Sequence, residues 1–245
     1  FWSFRYSSFD HVLIPNPAVF GGDELSPHAV LDFRRFTADA QAEFLHLQRD
    51  ILRQHIRPEQ WITTNYINVT SSADPRRTDR LDFIAFTMYP VRGENGLGPD
   101  GLRLGSPYRL TSALDYYRPI KGVTGIMELQ PGQVNWAPTN LQPMPGAVRM
   151  WLWHAFAGGA SFTCTYRYRQ PLYGSELYHT CIVGPDGITP SRGGLEYAEV
   201  AREMKTLRTI YDPKDALPAR FLARKTAILW SHENLWDIDN HKQTA

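Results

Sequence analysis

Glu128 is the residue of this sequence most readily given a chemical task. It stands in GIMELQPG, at the end of an apolar run and just before the loop-forming Pro131-Gly132. A carboxylate at the end of a hydrophobic strand is costly to bury unless it is paired, hydrogen-bonded or faces a cleft. A structural Glu more often lies on a solvated helix face, so this position favours function. A second constellation is Gly174-Ser175-Glu176-Leu177-Tyr178-His179. Glu176 and His179 can converge on one ligand, each bonding a sugar hydroxyl. Taken alone, the same residues read rather as a loop Glu and His in solvent. Trp136, in a loop flanked by Pro and Gly, offers a stacking platform for a sugar ring or simply packs its loop.

Other motifs carry less. Asn68-Val-Thr70 fits the glycosylation sequon, a triplet that arises by chance and matters only in a secreted protein. His154, within MWLWHAFA, reads as a satisfied core histidine, and Arg76-Arg77 with Arg80 as a solvated face. The Gly-rich stretch 93–105 lacks the phosphate-loop and dinucleotide patterns. Neither GxSxG nor a Cys-His signature supports a Ser or Cys nucleophile.

The elements that must position these groups follow from periodicity. Ser26-Pro27 is a helix start, with the hydroxyl at the cap and Pro in the first turn. Phe33, Phe36, Ala40, Phe44, Leu47 and Ile51 then recur at three and four residues and predict a long helix, apolar on one side, that stops before Pro58. WITTNYINV, LDFIAFTMYP, GVTGIMELQ and SFTCTYRYRQ read as four strands. Residues 91–106 read as a loop. Helices are expected over Tyr108–Arg118, ending at Pro119, over Ala147–Phe156, ending at Gly158-Gly159, and over Leu195–Ile210. The last of these would bury Leu195, Val200, Met204, Leu207 and Ile210. Helices alternating with near-continuously apolar strands predict a parallel sheet covered by helices. Long polar, aromatic segments follow the strands and the returns are short, which favours half of a (β/α)8 barrel over a small open sheet.

Composition bounds the rest. Hydrophobic residues at 42% and charged residues at 21% are those of a globular protein and exclude disorder. Twenty-six Lys and Arg against 25 Asp and Glu leave a charge of +1, which removes the electrostatic case for a nucleic-acid or anionic-membrane partner. No apolar run approaches the ~20 residues of a membrane span. Cys164 and Cys181 are too few for a disulfide scaffold and form no CxxC pair for zinc. The opening FWSFRYSSFDH is not a signal peptide and reads as the interior of a longer protein. The stretch FLARKTAILWS reads as the first strand of another domain, so a fragment is expected.

LDFRRFTADAQAEFLHLQRDILRQH, ITTNY, LDF with its YP, MELQPGQVNWAP, VRMWLWHAFAGGA, YRQ and GSELYH together resemble glycoside hydrolase family 42, the β-galactosidases. The resemblance runs over essentially the whole chain. It implies a TIM barrel, of which residues 1–212 would be the second half, strands five to eight. Residues 213–245 would be a linker and the start of an α/β oligomerisation domain. It implies that Glu128 is the catalytic nucleophile. Trp136, Tyr89, Arg169, Glu176 and His179 would bind substrate, Arg169 also supporting the surroundings of Glu128. The family's acid/base is a Glu following an Asn on strand four. No Asn-Glu pair occurs here, so it would lie upstream of Phe1. Departures from the family pattern are Leu129 after the nucleophile, Tyr168 before Arg169-Gln170, TMYP without an acidic residue, and a longer loop at 91–106. The implied chemistry needs no metal or organic cofactor. The implied partners are small galactosides and further copies in a homotrimer, and the implied setting is a bacterial cytoplasm. An α-L-arabinopyranosidase of the same mechanism and a non-catalytic galactoside-binding or assembly chain are the alternatives.

Overall fold

In a computed structural model, residues 6–15, 26–67, 73–93, 98–212 and 226–240 are described. The sequon at Asn68 and the linker stretch 213–225 lie outside them. Two compact units form: Phe1–His55 with Thr70–Thr78 and Ile228–Ala245, and Ile56–Val69 with Asp79–Ala227. Among the described residues no helix is long and apolar enough to cross a membrane.

In the first unit, helix α1 (Pro27–Arg53) starts on the expected Pro, but the Ser26 hydroxyl makes no capping hydrogen bond. Its predicted apolar stripe, however, runs along solvent: Phe36 and Phe44 are exposed, and Ala38 and Ala42 are buried instead. Burial follows the side that packs against the short C-terminal helix His232–Asn240, with Arg34 donating to the Trp236 carbonyl and Arg35 to the Glu233 carboxylate. Arg77 is not the solvated residue expected. It pairs with Asp39 and Glu233, beside a nearly buried Asp74 that accepts the Arg76 N–H. The expected strand at AILWS is absent over the described residues 226–230. Ile228 and Leu229 are exposed there, and the Ser231 hydroxyl, accepting the Asn234 N–H, turns the chain into a helix.

The second unit holds a four-stranded sheet, β1 (Asn65–Tyr66), β2 (Ile84–Met88), β3 (Thr124–Leu129) and β4 (Thr163–Thr165), in that spatial order. All three pairings are parallel, as the alternation of helices and strands predicts. Between β2 and β3 lie α2 (Gly98–Leu104) and α3 (Pro107–Lys121); α4 (Ala147–Ala157) precedes β4 and α5 (Arg192–Ile210) follows it. The strands are shorter than their apolar runs because only the paired residues continue the ladder. The core lies where α3 meets β2 and β3: Leu110, Leu114 and Tyr117 close over Ile84, Phe86 and Ile126, all at most 1% exposed. The Phe86 and Tyr117 rings stack at 4.8 Å. Each such large apolar side chain contributes about 1.5–3 kcal/mol by leaving water.

Helix α2 falls inside the segment expected as loop. Its glycines hide it in the sequence, but Gly105 ends it, with its N–H on the Gly101 carbonyl, and the Leu104 carbonyl accepts the Trp151 indole N–H. Helix α3 runs past Pro119. Proline removes one hydrogen bond in the last turn, and Gly122 at φ 76° closes that turn by donating to Arg118. Of the apolar side expected for helix α5, Val200 is buried as expected but Leu195 and Ile210 are exposed, and the buried side turns instead toward Gly193, Gly194 and Glu196. A Cβ at Gly193 would overlap the Pro131 carbonyl and one at Gly194 that of Ile182, so the glycines set the rotation by allowing backbone contact. That rotation also turns Glu196 inward. Its carboxylate accepts the N–H groups of Gly146 and Arg149 and so caps α4. His154 on α4 is half-buried rather than in the core, with its Nε2 2.8 Å from the Thr111 hydroxyl.

Candidate active site

Glu128 reaches the site through an irregularity in the sheet. Register runs Ile84↔Thr124, Ala85↔Gly125 and Phe86↔Ile126, then skips Met127 so that Thr87 faces Glu128. In a regular ladder Thr87 would face Met127, and Glu128 would point to the other side. The extra residue turns the carboxylate onto the face that carries Asn65, Ala85 and Thr87. Bulges commonly re-aim side chains in this way.

On that face Glu128 is held by one donor at each oxygen. The Asn65 amide Nδ2 donates to Oε1 at 3.0 Å and the Tyr89 phenol donates to Oε2 at 2.9 Å. Burial, and next the neighbouring Glu128 charge, push the Tyr89 phenol far above its ordinary range, so it remains a donor. Tyr89 is also the hub of the site. Its ring meets Trp136 edge-on at 5.1 Å and His179 edge-on at 6.1 Å.

His179 is fully buried. Its Nδ1 donates to the Thr180 carbonyl at 3.2 Å, which leaves the lone pair on Nε2. That Nε2 is buried without a protein partner. Burial lowers the imidazole pKa below its ordinary value and keeps the ring neutral. The ring also packs edge-on against Tyr166 at 5.7 Å. The three-residue spacing of Glu176 and His179 is a turn, with the His179 N–H on the Glu176 carbonyl. The Tyr166 phenol donates to Glu176 Oε2 at 2.7 Å, a bond that raises the phenol's pKa, and Arg167 lies 3.6 Å from the same carboxylate.

Side-chain amides tie the loops together. Gln130 is fully buried. It accepts the Val91 N–H and donates to the Val91 and Gly132 carbonyls, joining the loop after Tyr89 to the loop after Glu128. Asn135 donates to the Ser175 carbonyl and joins the Trp136 loop to the Glu176 loop.

Of the residues singled out in the sequence, the structure thus gathers Glu128, Tyr89, Trp136 and His179, with Glu176 one turn from His179. Arg169 is not among them. Its guanidinium donates to the Pro185 carbonyl at 2.9 and 2.6 Å and makes no hydrogen bond to Glu128. Asn65, Thr87, Gln130 and Tyr166 were not singled out. The period-two alternation of LDFIAFTMYP was the available signal for Thr87, which shares a face with Tyr89; Asn65 looked like any polar residue in a strand.

The site is thus one carboxylate lifted to the ends of parallel strands, held by two donors, with an indole and a neutral imidazole grouped around the phenol that bonds it. The sequence profile of glycoside hydrolase family 42, described as beta-galactosidase, matches residues 1–207, and the chain belongs to that family. It is 35% identical to beta-galactosidase BgaA of a Thermus species across an alignment of 254 positions that covers 100% of this chain and 37% of that protein. Identity to beta-galactosidase Bga of Halorubrum lacusprofundi is 31%, over 98% of this chain and 33% of that one. Among solved structures, the beta-galactosidase of the psychrophile Marinomonas ef1 matches with a TM-score of 0.83 at 34% identity, over 98% of this chain and 37% of its own. The polyextremophilic Halorubrum enzyme matches at 0.84 and 30%, over 98% and 35%. The chain spans little more than a third of the length of these relatives.

Proposed function

We propose that this chain carries the nucleophile side of a retaining β-galactosidase active site. The observation that carries the reading is Glu128, donor-held at both oxygens at the centre of the aromatic site. A Glu128 oxygen attacks the anomeric carbon as the bond to the leaving oxygen breaks, giving a covalent galactosyl-enzyme. Water then attacks the same carbon and releases Glu128 as carboxylate. Both steps need a second carboxyl group about 5–5.5 Å away, first as acid and then as base. We assign it to a part of the whole enzyme outside these 245 residues. The His179 Nε2 lone pair and the Glu176 carboxylate would accept sugar hydroxyl protons, and the Trp136 indole, 48% exposed, would lie against the ring.

Residues 1–212 would form the second half of a (β/α)8 barrel and 213–245 lead into the next domain. Kinship with the beta-galactosidases supports this, as it supports galactosides as substrates. The cytoplasmic homotrimer that the family resemblance implies is part of the same proposal.

The test is intact mass and peptide mapping after incubation with a 2-deoxy-2-fluoro-galactoside bearing a dinitrophenyl leaving group. That group departs without acid assistance. One adduct on the Glu128 peptide is expected. A folded, full-length protein that stays unlabelled would end the reading.

A further inference from the structure

We propose that Thr87 is a positioning residue of this site, acting on Glu128 through the side-chain amide of Asn65. The inference rests on the reading of Glu128 as nucleophile. Three residues on one face of three adjacent strands form a chain of hydrogen bonds with a single direction. The Thr87 hydroxyl donates to Asn65 Oδ1 at 2.9 Å, and Asn65 Nδ2 donates to Glu128 Oε1 at 3.0 Å.

Asn65 can present either end of its amide to the carboxylate. Only the NH₂ end attracts it; the carbonyl end would set two acceptors against each other. The carboxylate, which can only accept, selects the NH₂ end, and Thr87 secures that choice by donating its hydroxyl to Oδ1. In the flipped amide Oδ1 would face the carboxylate without a donor, and the hydroxyl would have to turn and accept from Nδ2 instead. Hydrogen bonds in series also polarise one another, which strengthens the bond that reaches the carboxylate. The bulge at Met127 is what makes the relay geometrically available, because it sets Thr87 opposite Glu128 in the ladder. With Tyr89 fixing Oε2, loss of the Asn65 orientation frees the other half of the carboxylate. Attack at an anomeric carbon depends on holding that carboxylate in one pose.

The test uses the whole protein in the length in which it is naturally made. Its readouts are the rate constant for labelling Glu128 by the fluorinated dinitrophenyl galactoside and the affinity for galactose. Thr87→Val, nearly the same shape without the hydroxyl, is expected to slow labelling about tenfold, the scale of one lost hydrogen bond. Galactose affinity should stay within about twofold, because the relay acts on the attacking group. Thr87→Ser, which keeps the donor, should restore the rate. In an Asn65→Ala background Thr87→Val should add nothing, since residues that act through one another are non-additive. A Thr87→Val protein that labels at the unsubstituted rate would overturn the inference, as would one slowed equally with and without Asn65. Slow labelling in Thr87→Ser would overturn it too. In all three cases Glu128 still carries the label and its assignment stands. No label on Glu128 in the unsubstituted protein would overturn the nucleophile reading and the relay together.

Discussion

The Tyr89 phenol donates to Glu128 Oε2 across 2.9 Å, from the end of the strand next to the one that bears the carboxylate. Tyr89 is the side chain that links three parts of the site: the carboxylate, the Trp136 indole and the His179 imidazole. Replacing Tyr89 by Phe keeps the ring contacts and removes only the donor. A hydrogen bond to a charged group contributes about 1.5–3 kcal/mol, so kcat/KM on an aryl galactoside should fall roughly ten- to a hundredfold. Steady-state kinetics on the whole enzyme checks this. A change of less than about twofold would mean that the phenol does not hold the nucleophile during reaction.

Gln130 replaces a piece of sheet. Its amide satisfies the N–H and C=O of Val91 as a neighbouring strand would, and it reaches the Gly132 carbonyl as well. Gln130→Leu leaves those groups buried without partners, each worth about 1–3 kcal/mol, and should destabilise the fold by about 3 kcal/mol or more. Urea unfolding measures the loss. A midpoint near that of the unsubstituted protein would show that water replaces the amide.

His179 gives the site a pH dependence whose sign follows from burial. The folded protein holds this imidazole below its ordinary pKa, while the unfolded chain binds a proton near the ordinary value of about 6.5. The unfolded state therefore binds more protons at lower pH. The contribution of His179 is fully present above about pH 6.5 and is lost as pH falls through the lower, folded value. Thermal midpoints should drop along that limb, and less steeply in His179→Gln. Galactose affinity should weaken along the same limb, because a protonated Nε2 can no longer accept a hydroxyl. Parallel melting curves against pH for the two proteins would contradict the assignment.

Gly193 lies against the Pro131 carbonyl, three residues beyond Glu128. Gly193→Ala forces backbone to shift, at a cost of about 1–3 kcal/mol. It should slow labelling of Glu128 along with lowering the melting temperature. Full activity in the alanine protein would show that α5 re-docks without disturbing the loop.

Much of this protein was legible in its residues. Ser26-Pro27 marked the start of a long helix, and four apolar runs, the last three separated by helical stretches, predicted the parallel sheet that forms. A Glu before Pro-Gly at a strand end marked the centre of the site. These features depend on neighbours within a few positions, through backbone propensity, proline in the first helical turn and the cost of burying charge. Tertiary structure alone decided the rest. The donors on Glu128 lie 63 and 39 residues away, and the Thr87 partner of Asn65 lies 22 away. Those meetings exist only because strand register and the extra residue at Met127 bring one face of three strands into line. The rotation of α5 was likewise set by two glycines against distant carbonyls, not by the apolar side its spacing offered. Periodicity states which residues can share a face; only packing chooses the face that is buried and the partner found there.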